Sequence, residues 1–327
     1  MLVDNHHRTI DYLRLAVTDR CNLRCNYCMP AEGIAFAERD DLFTLEELCT
    51  LSTILVSQGI RKIRITGGEP FVRKDLMLLL RKLSAINALE DIAITTNATL
   101  IAPYITELKQ LGIRNINVSL DAVSKERFER ITRRNEYDIV YANLIRLIEE
   151  GFQVRINFIA LEKQNIEDIL PILELTKKYN VAVRFLEEMP FNGGSKSFQT
   201  IKWDYKRILA HITEKYPTLY TLTSPKTSTS VNYKIPGFKG TFGIIPSFSR
   251  TFCGTCNRLR ISATGDVITC LYAKSSSNLR AILRSANSEE NIKKTILVAV
   301  GNRAATGFEA ENLNKDVFSN SMTSIGG

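Results

Sequence analysis

The chain has 327 residues, 44% of them hydrophobic and 24% charged, which is the balance of a folded protein and excludes a mostly disordered one. Its 43 Lys and Arg against 35 Asp and Glu give a net charge of +8, which suits an anionic partner. No long basic block occurs, so charge alone does not choose between a polyphosphate pocket and a nucleic-acid face. No apolar run approaches the roughly 18 residues of a membrane span. Met1 to Arg8 is polar and lacks the apolar stretch of a secretory signal, so a soluble cytoplasmic protein is expected.

A first strand is predicted at Leu13–Val17. Thr44-Leu45-Glu46-Glu47 reads as a capping box opening a helix over Thr44–Gln58, in which Cys49 is buried filling. Further apolar, β-branched runs at Ile63–Thr66, Ile92–Thr95, Ile116–Leu120, Val154–Ile159 and Val181–Leu186 read as strands. Helical patterns at Asp75–Ser84, Tyr104–Leu111, Asp138–Glu150 and Ile166–Tyr179 lie between them, with Gly59, Gly112 and Gly151 placed as helix stops. This alternation predicts parallel strands joined by crossover helices. A doubly wound sheet and an incomplete barrel both fit, and either gathers functional groups at the carboxyl ends of the strands. Cys21–Cys28, Gly67-Gly68-Glu69-Pro70, Thr96-Asn97, Ser119 with Asp121, and Glu188-Met189 all fall at such ends.

Beyond residue 190 the alternation stops. Phe191 to Ser195 reads as a loop, Val231–Thr269 as short strands and loops punctuated by glycines, and Asn278–Val300 as a helical stretch before a polar tail ending Gly326-Gly327. Residues 1–230 are expected to form the main domain and 231–327 an appendage packed on it.

Six of the seven cysteines form two triplets, Cys21, Cys25, Cys28 and Cys253, Cys256, Cys270. The odd total argues against a disulfide framework. Structural zinc usually takes four ligands, and none of the three histidines (His6, His7, His211) sits beside a triplet. A four-iron cluster on three thiolates is the better match, because one iron is then left open to bind a small molecule.

The spacing C-x3-C-x2-C, with the aromatic Tyr27 before the last cysteine and Gly67-Gly68-Glu69-Pro70 after the second strand, resembles the radical S-adenosylmethionine enzymes. Cys253-x2-Cys256-x13-Cys270, the pair Arg258 and Arg260, and the Gly-Gly end resemble the GTP 3′,8-cyclase family, which opens molybdenum cofactor biosynthesis. This resemblance runs from about Leu13 to Gly327. It implies an α/β fold, an incomplete (β/α)6 TIM-like barrel with a C-terminal extension closing the open side. It implies two [4Fe-4S] clusters, the first on Cys21, Cys25 and Cys28 and the second on Cys253, Cys256 and Cys270. S-adenosyl-L-methionine would meet Tyr27, Gly68, Ser119, Met189 and Asn157. GTP would meet Arg14, Arg64, Thr95, Arg155, Arg258 and Arg260, with Lys62 and Arg184 as neighbours. Gly326 and Gly327 would enter the active site with the catalytic Arg258 and Arg260, since residues without side chains thread closest to a substrate. The family usually has lysine where this chain has Arg155, and a planar fork there replaces a point charge.

The chemistry implied is reductive cleavage of the cosubstrate to a 5′-deoxyadenosyl radical, hydrogen abstraction from ribose C3′, and attack of that carbon on guanine C8. The product implied is (8S)-3′,8-cyclo-7,8-dihydroguanosine 5′-triphosphate, passed to the cyclic pyranopterin monophosphate synthase that follows. An electron donor is a further implied partner, nucleic acid and membrane are not, and a homodimer is left open. A peptide-modifying maturase would carry more cysteines after the barrel, and a simple electron carrier would need neither open irons nor the GGEP motif.

Overall fold

The computed structural model describes residues 1–193, 200–314 and 321–325. In chain order, β1 (Tyr12–Ala16), α1 (Leu45–Ser57), β2 (Lys62–Thr66), α2 (Leu76–Ser84), β3 (Asp91–Thr96), α3 (Ile105–Gln110) and β4 (Asn115–Ser119) are followed by two helices, α4 (Lys125–Thr132) and α5 (Tyr137–Glu149). Then come β5 (Gln153–Ala160), α6 (Ile169–Lys178), β6 (Ala182–Glu187) and α7 (Tyr205–Lys215). The C-terminal part supplies β7 (Tyr220–Leu222), β8 (Val231–Lys234), β9 (Thr241–Ile245), β10 (Arg258–Ile261), β11 (Val267–Ile268), α8 (Leu279–Leu283), α9 (Ser288–Gly301) and α10 (Gly307–Asn312).

β1 to β6 pair in sequence order and in parallel, the incomplete (β/α)6 barrel. The sheet does not end there. β10 joins the free edge of β1 in parallel, and β9 joins the free edge of β6 in parallel. β11 and the β8–β7 hairpin then continue antiparallel at the two outer margins. The extension therefore builds directly onto both edges that six strands alone would leave exposed.

The strands form where apolar and β-branched residues run together, and alternate side chains face opposite ways. Leu13, Leu15, Ile63, Ile65, Ile92 and Ile94 are buried against the helices, which leaves Tyr12, Arg14, Lys62 and Arg64 on the inner face. Thr44 caps α1 as expected: its hydroxyl accepts from Glu47 N, and the Glu47 carboxylate accepts from Thr44 N. The Asn278–Val300 stretch is two helices, broken at Asn287, whose φ of 55° no continuous helix tolerates. Among the described residues no helix is long and apolar enough to cross a membrane. A small separate apolar cluster of Phe191, Ile268, Tyr272, Ala310 and Ile325 ties the end of β6 to the segments around Cys270 and to the tail.

Candidate functional site

The loop after β1 carries Cys21, Cys25 and Cys28, and the Gly-Gly pair after β2 holds it in place. A Cβ on Gly67 would lie 2.1 Å from the Thr18 carbonyl oxygen, and one on Gly68 would lie 2.3 Å from that of Arg20. The backbones touch instead: Gly68 N donates to Thr18 O and Glu69 N to Arg20 O, both at 2.9 Å. Gly67 also has a φ of 138°, open only to glycine. The motif is thus a steric fit to the entrance of the cysteine loop.

Glu69 points away from the cavity. Its fully buried carboxylate accepts from Phe71 N (3.1 Å), Thr96 Oγ1 (2.8 Å) and Asn97 N (2.6 Å), so it locks the end of β3 to the end of β2. Burial pushes its pKa up to about 7, while the three donors pull towards the ionised form. Glu69→Gln would turn an amide N–H2 towards N–H or O–H donors. A stability loss of about 1–3 kcal/mol is expected, read by urea denaturation of the metal-free protein; an unchanged midpoint would contradict it.

Burial raises all three thiols of this loop, Cys21 to about 12 and Cys25 well above the usual thiol range, so loading a metal here must release protons. Tyr27 Oη donates to Asp121 at 2.7 Å, and the other Asp121 oxygen accepts from Ile159 N at 2.8 Å, which pins the aromatic residue of the motif to the ends of β4 and β5. The tail comes to the same loop: Ser321 Oγ donates to Cys28 O at 2.9 Å. Gly326 and Gly327, expected in the active site, lie outside the described residues.

The second triplet is assembled from both sides of β10–β11. Cys253 opens a short turn, Cys256 precedes β10, and Cys270 follows β11. Gly307 N donates to Cys253 Sγ at 3.3 Å, and Arg303 donates to Cys256 Sγ at 2.9 Å. Burial would raise Cys256, yet Arg303 and Arg258 outweigh it and bring the thiol down to about 7; burial keeps Cys253 and Cys270 high.

Both triplets line one cavity of about 300 Å³. Between them lie Tyr27, Gly68, Thr95, Ser119, Asn157 and Met189, together with Arg14, Arg64, Arg258 and Arg260. The register explains the cations: Arg260, Arg14 and Arg64 are neighbours on three adjacent strands, and Arg258 and Lys62 flank Tyr12 one inward row below. Burial and mutual repulsion depress Arg14, Arg258 and Arg260, the last to about 10, and Arg184 to about 9. Burial would raise Tyr12, but Arg64, Arg14, Lys62 and Arg258 together lower it. The buried Nε of Arg64 and the hydroxyl of Tyr12 have no hydrogen-bond partner among the described residues. Converging buried cations with unused donors form a site for a multiply charged anion.

Arg155 is placed differently. It sits one inward step below Asn157 on β5, donates to Asn115 Oδ1 at 2.6 Å, and is not on the cavity wall. Lys62 is tied to Asp91, and Arg184 reaches Asn117 at 3.4 Å. The cavity also has walls that the sequence did not announce, Arg8, Arg303 and Arg250, and Glu188, expected at the end of the sixth strand, lines it too. Burial raises Glu188. Arg250 stacks 3.6 Å over the Tyr272 ring and pairs with Glu311. These arginines stand alone in sequence, without a motif to mark them.

The donor set fits iron–sulfur ligation. Each triplet is three thiols without histidine, and within each the sulfurs are near enough to raise one another's pKa. Among the described residues no group of three or more His, Cys, Asp or Glu is placed to hold a single metal ion; thiols around a sulfide-bridged cluster stand further apart than those around one ion.

Comparison with known proteins agrees. The Radical SAM superfamily model matches residues 15–176, and the Molybdenum Cofactor Synthesis C model matches residues 181–308. The chain is 36% identical to a GTP 3′,8-cyclase of Syntrophomonas wolfei over 338 residues, covering 100% of both chains. It is 39% identical over 306 residues to molybdenum cofactor biosynthesis protein 1 of Drosophila melanogaster, covering 91% of this chain and 53% of the relative, so it spans about half the length of that protein. In fold it resembles SuiB of Streptococcus suis, with a TM-score of 0.62 at 15% identity, covering 88% of this chain and 69% of SuiB. The chain belongs to the GTP 3′,8-cyclase family of radical S-adenosylmethionine proteins.

Proposed function

We propose that this chain converts GTP to (8S)-3′,8-cyclo-7,8-dihydroguanosine 5′-triphosphate, the first committed reaction of molybdenum cofactor biosynthesis, and hands it to a cyclic pyranopterin monophosphate synthase. The observation that carries this reading is the single cavity lined by both cysteine triplets and by a set of converging arginines. Cys21, Cys25 and Cys28 would hold one four-iron cluster, and Cys253, Cys256 and Cys270, within the 231–327 part, a second. With S-adenosylmethionine these cofactors would supply one-electron reductive cleavage and a site for the guanine base.

The remaining work falls to the protein. Gly68, Ser119, Asn157, Met189 and Tyr27 line the wall where a cosubstrate would be oriented, and Asp121 keeps Tyr27 from turning. Arg14, Arg64, Arg258 and Arg260 neutralise the triphosphate, with Thr95 as a hydroxyl donor nearby. Arg155, below the wall, acts on the charge of that site through Arg64 rather than by touching the nucleotide. Gly326 and Gly327 would take part in catalysis with Arg258 and Arg260.

The test is anaerobic incubation of the reconstituted protein with S-adenosylmethionine, a reductant and GTP deuterated at C3′. Because the expected product is isomeric with GTP, chromatography must precede mass analysis. The expected result is a new isomer together with deuterated 5′-deoxyadenosine. Cofactor cleavage with undeuterated 5′-deoxyadenosine and unchanged GTP would reject the proposal.

A further inference from the structure

An ion network joins the N-terminal segment to the second triplet. Asp4, whose side chain is wholly buried, pairs with Arg8 at 2.6 Å and with Arg303 at 3.9 Å. Arg8 donates to the carbonyls of Cys253 (3.0 Å), Ala304 (2.8 Å) and Ala305 (2.7 Å). Arg303 places one nitrogen on the Cys256 carbonyl at 2.8 Å and another on Cys256 Sγ at 2.9 Å. His6 Nε2 lies 3.0 Å from Arg303 O and closes the arrangement from the same segment.

The two arginines do different things. Apart from its pairing with Asp4, Arg8 binds carbonyl oxygens, so it fixes the course of the loop. Arg303 spends half of a rigid fork on a sulfur, which packing alone does not require, and a guanidinium is the side chain best able to hold two such bonds in a fixed plane. We infer that Arg303, held in orientation by Asp4, is a positioning residue that hydrogen-bonds the Cys256 thiolate and sets the reduction potential of a second iron–sulfur cluster. This rests on the two-cluster reading above. An N–H donor and a positive charge at a ligating sulfur favour the more negative, reduced state of a cluster. Losing them moves the potential in the negative direction.

The experiment uses the full chain, reconstituted anaerobically, with Cys21, Cys25 and Cys28 replaced by alanine so that only the second cluster gives a signal. Iron content and the midpoint of the paramagnetic signal in a redox titration are measured together. Arg303→Met is expected to keep about four irons and to shift the reduction equilibrium at least tenfold, about 59 mV for one electron. Arg303→Lys, which retains charge and donors, is expected to recover most of that shift, and Asp4→Asn to shift the midpoint in the same direction by less.

An unchanged midpoint in Arg303→Met with iron retained would overturn the inference. So would loss of iron in both the Met and Lys variants, which would make Arg303 only a structural clamp. Should Arg303→Met alone lose iron, Asp4→Asn decides, a negative shift supporting the inference and no shift overturning it. Failure of the unsubstituted background to take up iron is a separate result: it would remove the second cluster itself, and the inference with it.

Discussion

Replacing Cys21, Cys25 and Cys28 together by alanine is expected to leave about four irons per chain and to reduce both cofactor cleavage and nucleotide cyclisation below detection. Thiolates are the only strong soft ligands on that loop, and without three of them nothing on this chain supports reductive cleavage. The second triplet should load unaffected. It lies in a segment braced by its own apolar cluster, by Arg8 on the Cys253 carbonyl and by Arg303 on Cys256. The measurements are iron and sulfide content, methionine or 5′-deoxyadenosine release, and nucleotide analysis. Residual cleavage at more than a trace level would contradict the assignment of the first cluster.

The second large effect concerns Arg64. Arg64 pairs with Arg14 of the neighbouring strand, and its guanidinium lies 5.4 Å from the centroid of the Tyr12 ring, with Nε unused. A hydrogen bond to a charged partner is worth about 1.5–3 kcal/mol, so Arg64→Ala should weaken GTP binding to the reconstituted protein roughly tenfold to a hundredfold. The same substitution relieves the repulsion that Arg64 exerts on Arg14, Arg184 and Arg258. The nucleotide-free variant is therefore expected to melt at or above the temperature of the parent protein, a trade of stability for binding common at functional sites. Calorimetric titration and thermal melts check the two halves. Unchanged GTP affinity with a lowered melting temperature would make Arg64 a structural residue.

Much of this arrangement is legible in the sequence because it depends on local signals. The six strands of the barrel follow from runs such as Val154–Ile159 and Val181–Leu186, and in the strands they form, Gln153–Ala160 and Ala182–Glu187, buried and inward positions alternate. Cysteine spacing and the GGEP motif mark the first triplet because both are fixed by contacts within a few residues of one strand end. The missed helices have weaker signals. In α4 the apolar positions reduce to Phe128 and Ile131 among charged neighbours, and in α7 to Ile208 and Ile212.

What depends on distant pairing was not legible. Nothing in Thr241–Ile245 or Arg258–Ile261 says that one strand extends the β6 edge and the other the β1 edge, because register is decided by partners more than fifty residues away. Arg303 and Arg8 enter the site for the same reason: each is an isolated arginine until the fold brings Cys256 and Cys253 beside it. Glu69 shows the converse. Its motif resembles part of a cosubstrate site, but its carboxylate is consumed by Thr96 and Asn97, and the glycines before it do the positioning.

Two thiol triplets face one cavity, and each would hold a four-iron cluster with one iron left open. The most direct test is iron and sulfide quantification on the anaerobically reconstituted full chain, repeated with each triplet replaced by alanine. About eight irons are expected for the parent and about four for either variant. A parent value that stays near four, and falls to zero when only Cys21, Cys25 and Cys28 are removed, would contradict it.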